Sequence, residues 1–406
     1  MLKPAGSRCN LACEYCYYID KPQGTLSDEL LEEFIRQYIE AQTMPQVLFT
    51  WHGGEPLLRP LSFYKKALQL QQRYARGRQI DNCLQTNGTL LTDEWCRFLR
   101  DNHFLVGISI DGPQHLHDSY RGHSWTKVMR GIELLRKHGV EWNAMATVNA
   151  ANVAHPVEFY HFFRDIGCEF LQFTPVCRPS PQPLPARERS GYLSVGAPAP
   201  ELYARFPARE GQGRWPDGEG QGRCPVGEGQ GRGSVGASFG RFLCAVYDEW
   251  VRADVGRIFV QLFDATLANW VGEPPGLCSM SPSCSGGAVM DTDGTVYSCD
   301  HFVYPEYRLG NIREQTLTAM LYGERQQRFV SAKTTALPRE CRECRWLFAC
   351  HGECPRNRYV SDRYGNPGMN CLCEGYRMFF SHVAADMDFM ARELREGRPP
   401  ANITKQ

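Results

Sequence analysis

Three cysteines lie close together near the start of the chain: Cys9, Cys13 and Cys16 in 8-RCNLACEYCYY-18, spaced C-x3-C-x2-C among aromatic residues. Thiolates grouped in this way hold soft metals. A structural zinc site closes its shell with four protein ligands, and no fourth Cys or His stands nearby. A four-iron cluster has four corners, each ordinarily held by a thiolate. Three ligands in one short loop leave one iron open to another molecule.

A second concentration lies between 278 and 373. Cys278-x5-Cys284 is followed by Cys299, and 341-CRECRWLFACHGEC-354 supplies Cys341, Cys344, Cys350 and Cys354, with Cys371 and Cys373 beyond. These thiols suffice for two fully ligated clusters, which suits electron transfer; a pair of zinc sites is the rival reading. Asp300 directly follows Cys299. It reads either as a solvated hairpin-end carboxylate or as a base beside a metal ligand. His301 and His351 adjoin ligands and could donate hydrogen bonds to them. Cys83, Cys96, Cys168 and Cys244 fall on strand or helix patterns and read as small core residues. Cys177 ends a strand and is a weak cavity candidate.

The intervening pattern must position these groups. The segment 27-SDELLEEFIRQYIE-40 has a capping Ser27 and an apolar face of Leu30, Leu31, Phe34, Ile35, Tyr38 and Ile39. Strands are expected at 47–56, 80–88, 104–112, 141–149 and 169–176, with helices near 61–76, 92–102, 125–138 and 155–166. Gly139 and Gly167 are placed as C-terminal caps. Alternating strands and helices imply a parallel sheet whose post-strand loops carry chemistry. A hairpin is expected around Asp293-Gly294. Region 178–238, with three EGQGR repeats and Cys224, reads as a low-complexity, disordered insertion. The expected domains are therefore 1–177 (barrel), 178–238 (insertion), 239–277 (connection), 278–380 (cysteine-rich) and 381–406 (C-terminal helix and tail).

The 406 residues balance 45 Lys and Arg against 45 Asp and Glu, so charge points neither to nucleic acid nor to disorder. Apolar runs such as 104-FLVGISI-110 are too short to span a bilayer, and the start lacks a secretion-signal pattern. A cytoplasmic enzyme is the expectation, its eighteen cysteines reduced rather than disulfide-bonded. Met1-Leu2-Lys3 leaves little room for a first strand.

Cys9-x3-Cys13-x2-Cys16, with Tyr15 before the third cysteine, resembles the radical S-adenosylmethionine (SAM) signature, and 53-GGEP-56 resembles that superfamily's GGE motif. The stretches 3-KPAGSRCN-10, 50-TWHGGEP-56, 84-LQTNGTLL-91, 105-LVGISIDGP-113 and 170-FLQF-173 are similar to one branch, the anaerobic sulfatase-maturating enzymes. The resemblance implies an α/β fold: a partial (β/α)6 parallel barrel, then an irregular α+β SPASM-type domain with two auxiliary clusters. It implies three [4Fe-4S] clusters and SAM as cofactors, with Cys9, Cys13 and Cys16 holding the reactive cluster. Cys278, Cys284, Cys299 and Cys354 would hold one auxiliary cluster; Cys341, Cys344, Cys350 and Cys373, rather than Cys371, the other. SAM contacts carry over to Tyr15, Gly53, Gly54, Glu55, Ser109, Arg121 and Leu171, a substrate contact to Tyr18, and the general base to Asp300. Two departures are His52 where the branch has Gln, and a shorter loop after Arg121.

The implied activity is oxidation of a Cys or Ser in an unfolded sulfatase polypeptide to formylglycine, fed by a low-potential donor such as ferredoxin or flavodoxin, with neither nucleic acid nor membrane as partner. The alternative is a maturase of a ribosomally made peptide, forming thioether or carbon–carbon links. A zinc-bearing scaffold without turnover is the reading from another class.

Overall fold

Each apolar run after a helical segment becomes a strand in the computed structural model, which describes residues 1–177, 235–284 and 287–405. Six strands follow one another in sequence order across one sheet: β1 (Gln46–Trp51), β2 (Gln79–Thr86), β3 (Phe104–Ser109), β4 (Trp142–Val148), β5 (Phe170–Pro175) and β6 (Phe259–Val260). The pairings β1/β2, β2/β3, β3/β4 and β5/β6 are parallel. This is the α/β core expected from the sequence. The register sets Trp51 beside Leu84, Thr86 beside Ile108 and Ser109 beside Met145. The residues that follow β1, β2 and β3 therefore emerge on one side of the sheet.

Helices form where the pattern predicts them at α1 (Asp28–Ala41), α2 (Leu61–Tyr74) and α3 (Asp93–Asp101), then after an additional α4 (Gln114–Arg121) at α5 (Trp125–His138) and α6 (Pro156–Asp165). Ser27 caps α1 by accepting from the Leu30 N–H, and Leu30, Leu31, Phe34, Ile35 and Ile39 are buried. Gly139 closes α5 in the left-handed region, φ 66°. The short α4 escaped the sequence pattern because only one of its buried side chains, Leu116, is apolar; the others are His117 and Arg121.

The chain forms two units. One contains Met1–Ile110, Gln114–Met145 and Gly286–Phe329; the other Asp111–Pro113, Ala146–Ser285 and Val330–Gln406. This differs from the expected linear division at 278. Segment 286–329 belongs with the first residues because Leu2 bridges Trp51 on one side and Met290 on the other, both in parallel. So Met1-Leu2-Lys3, too short to form a strand, supplies one rung. Within the same unit β7 (Val289–Met290), β8 (Thr295–Tyr297) and β9 (Arg308–Asn311) form an antiparallel sheet, with the expected turn at Asp293-Gly294.

In the second unit, helices Val235–Ala253 and Cys373–Arg395 meet at glycines: a Cβ on Gly375 would stand 2.1 Å from the Gly236 carbonyl oxygen. The first helix begins at Val235, four residues before the expected return of order, and the second at Cys373 rather than 381. Both differences follow from this close helix pair, whose apolar faces extend each helix past the composition change. The rest of the expected insertion, 178–234 with Cys224, lies outside the described residues. Among the described residues no helix is long and apolar enough to cross a membrane.

Arg358, 1% exposed, ties the cysteine-rich loops together. Its guanidinium donates to the carbonyls of Gly352 (2.8 Å), Lys333 (2.6 Å), His351 (2.9 Å) and Glu353 (3.0 Å). Arg358→Leu leaves four buried carbonyls without their donor, at about 1 kcal/mol or more each. Thermal unfolding of the anaerobic protein should then fall by roughly 10 °C.

Candidate active site

The cysteine loop is laced onto the end of β1. The Gly54 N–H donates to the Gly6 carbonyl and the Glu55 N–H to the Arg8 carbonyl, both at 2.8 Å. Below them Glu55 is fully buried. Its carboxylate accepts from the Leu57 N–H (2.9 Å), the Thr86 hydroxyl (2.7 Å) and the Asn87 N–H (2.8 Å). Burial pushes this carboxyl up to about 7 against the pull of those three donors. Its oxygens are thus engaged within the fold, and Glu55 braces the ends of β1 and β2. Its side chain being so engaged, the cofactor contact expected of Glu55 falls to its backbone.

The bracing has a target. Asn87, next after β2, donates its side-chain amide to the Cys9 sulfur (3.7 Å) and to the Asn10 side chain (2.9 Å), and the Leu11 N–H points at the same sulfur (3.3 Å). Arg121, at the end of α4, places Nη1 4.0 Å from the Cys13 sulfur and its guanidinium 5.3 Å from the centre of the Tyr15 ring. At 7% exposure it is not the ordinary surface arginine that its sequence context allows. Tyr15 stacks on Tyr120, 6.0 Å between centroids. Ser109 ends β3 and accepts from the Gln85 amide (2.9 Å).

These features fit an iron–sulfur cluster. None of the eleven expected ligand cysteines is bound in a disulfide. N–H donors aimed at a ligand sulfur are a known means of stabilising a cluster thiolate. Desolvation pushes the Cys9 thiol up to about 11, and a bound metal cation favours the thiolate. Among the described residues no three His, Cys, Asp or Glu side chains are arranged for a single metal ion.

In the second unit Cys341, Cys344, Cys350 and Cys373 line one cavity with Trp346, Tyr376 and Phe380. Cys371 is not part of that lining. Cys278, Cys284 and Cys354 all bear electrostatically on the buried Lys333 ammonium, which donates to the carbonyls of Cys278 and Ser279. Leu171, 2% exposed, belongs to this unit's core, so only its backbone is available for a contact. Cys299 lies in the first unit, one residue before Asp300.

Asp300 is not the solvated hairpin-end carboxylate; it is 6% exposed. Its backbone N–H donates to the Gly287 carbonyl (3.1 Å). One carboxylate oxygen pairs with the Lys3 ammonium; the other accepts from the Tyr17 hydroxyl at 2.5 Å. Burial alone would raise this carboxyl, but the Lys3 ammonium above all outweighs it and holds it well below the usual carboxylate range. Tyr17 in turn stacks on His301, 5.1 Å between centroids. Tyr18, the expected substrate contact, is 1% exposed with its hydroxyl donating to Asp291 (2.8 Å). The neighbour, Tyr17, is the tyrosine on Asp300. Sequence reasoning marked Asn87 only as part of a polar strand end, and missed Lys3 and Tyr17. Their partners stand up to 297 residues away, and no local spacing marks them.

Comparisons with known proteins bear on the family. The chain matches the radical SAM superfamily model over residues 4–163 and the SPASM model, an iron-sulfur cluster-binding domain, over residues 282–345. It is 52% identical to the serine-type anaerobic sulfatase-maturating enzyme of Bacteroides thetaiotaomicron, over all of this chain and 94% of that one. It is 30% identical to the cysteine-type enzyme of Clostridium novyi, over 97% of each. The solved structure of native anSMEcpe with bound AdoMet and Cp18Cys peptide superposes with a TM-score of 0.78 at 28% identity, covering 97% of this chain and 98% of that one. With the cysteine loop, the braced strand ends and the buried Asp300 already in place, these likenesses show that the chain belongs to the anaerobic sulfatase-maturating enzymes of the radical SAM superfamily.

Proposed function

We propose that this enzyme oxidises a serine, and less readily a cysteine, of a sulfatase polypeptide to formylglycine. The observation that carries the reading is Asp300: a buried carboxylate, fixed on both oxygens, in the same unit as the SAM-type cysteine loop. The serine preference rests on the greater likeness to a serine-type than to a cysteine-type relative. A peptide must be extended to enter such a site, so the target is modified before it folds.

Three [4Fe-4S] clusters would be held by Cys9, Cys13 and Cys16; by Cys278, Cys284, Cys299 and Cys354; and by Cys341, Cys344, Cys350 and Cys373. When bound, the reactive cluster and SAM supply the radical chemistry that removes a Cβ hydrogen atom, and the auxiliary clusters accept electrons. The protein does the rest. Gly53 and Gly54 let the β1 end approach the cysteine loop and offer backbone groups to SAM. Tyr15, Ser109, Arg121 and the Leu171 backbone complete that cradle. Asp300 accepts the substrate hydroxyl or thiol proton, and general-base help of this kind is worth about 10²–10⁴-fold. A low-potential donor such as ferredoxin or flavodoxin and a cytoplasmic location complete the reading.

Anaerobic incubation with SAM, a reductant and an S-x-P-x-R peptide should lower the peptide mass by two hydrogens; the C-x-P-x-R peptide should be converted more slowly. Asp300→Asn should cut formylglycine formation by about 100-fold or more while SAM cleavage persists in part. An Asp300→Asn variant that oxidises the peptide at the wild-type rate would remove the base from Asp300. Gly54→Ala tests the cradle, since its new Cβ would stand 2.1 Å from the Arg8 carbonyl oxygen. Iron analysis should show a deficit of about four irons per chain, one cluster's worth.

A further inference from the structure

We infer that Lys3 is the positioning residue of the reaction: it fixes the Asp300 carboxylate from the protein interior and leaves only the Tyr17-side oxygen for a substrate proton. The inference rests on the reading of Asp300 as the base.

The Lys3 side chain is fully buried, a rare state for an ammonium group. It touches three things. Nζ pairs with one Asp300 oxygen, approaches Nδ1 of His52 (3.4 Å) and sits over the Tyr18 ring, 4.0 Å from its centre. His52 Nδ1 also accepts from the Gly53 N–H (2.7 Å), so the nitrogen facing Lys3 carries no proton. Tyr18 is itself fixed through its hydroxyl on Asp291. No partner of Lys3 is free to drift, and the ammonium is therefore placed rather than merely accommodated.

Main-chain pairing supplies the precision. Leu2 donates to the Thr50 carbonyl (2.9 Å) and its own carbonyl accepts from the His52 N–H (3.0 Å), while the Lys3 N–H donates to the Met290 carbonyl (3.1 Å). Lys3 thus leaves from a rung held between β1 and β7, and reaches an aspartate just past the β7–β8 hairpin. The two oxygens of Asp300 become unequal. One faces a buried cation; the other faces the half-buried Tyr17 hydroxyl, the side open to exchange with a substrate group.

Lys3→Met keeps the stem and removes the charge. Formylglycine formation should fall about 100-fold or more, as expected when a general base is lost, while 5′-deoxyadenosine release falls much less. The ratio of the two products therefore rises, and iron content and SAM binding stay near wild type. A Lys3→Met enzyme that keeps the wild-type ratio, or one that loses iron together with activity, overturns the inference. The double variant Lys3→Met/Asp300→Asn guards against a folding failure. Removing both charges should recover thermal stability lost in Lys3→Met, whereas a packing role for Lys3 predicts the same loss in either background. If wild-type enzyme makes no formylglycine at all, the functional reading fails instead, and the thermal cycle still judges the Lys3–Asp300 pair.

Discussion

The constraint on which everything else hangs is the backbone lacing between the cysteine loop and the end of β1. Two main-chain hydrogen bonds, Gly54 to Gly6 and Glu55 to Arg8, hold the loop at the strand ends. They form only because position 54 has no side chain, since the Arg8 carbonyl occupies the space a Cβ would take. Glu55 then extends the brace to Asn87, whose amide reaches the Cys9 sulfur. The GGE stretch therefore sets the environment of the Cys9 sulfur. Its acid is a structural member of the same assembly.

A second theme is charge held away from water. Lys3, Asp300 and His52 form one buried group, and such groups are costly to desolvate unless each member has a partner. Here burial and then the Lys3 charge press His52 down to about 4, so it stays neutral at ordinary pH. The ammonium consequently answers to one carboxylate. A pair of this kind contributes little net stability, because desolvation offsets most of the attraction. What it secures is orientation, which suits the base proposed at Asp300. In the second unit Arg358 and Lys333 use buried cations differently, gathering backbone carbonyls of the loops that carry Cys278, Cys350 and Cys354.

The strands and most helices of the α/β core were legible from hydrophobic period and turn residues, because their burial faces are set locally. So was the Asp293-Gly294 hairpin. Less legible were elements set by distant partners. The long helix starting at Cys373 begins inside what composition marks as irregular, since its glycine contact with Val235–Ala253 is invisible in either segment alone. The division into units escaped a linear reading for the same reason: the rung at Leu2 couples the first residues to Met290.

The chain's residue order by itself determined the chemistry on offer: three closely spaced thiols, a second concentration of cysteines, and an aspartate beside one of them. These are properties of side-chain type and short spacing, and they need no folding to be read. Only tertiary structure decided which groups act on one another. It turned Asp300 inward, set Lys3 and Tyr17 on its two oxygens, gave Tyr18 to Asp291 and drew Glu55 into the frame. Each of these choices is an electrostatic or steric match between residues brought together by strand pairing, and strand pairing is where a linear pattern stops carrying information.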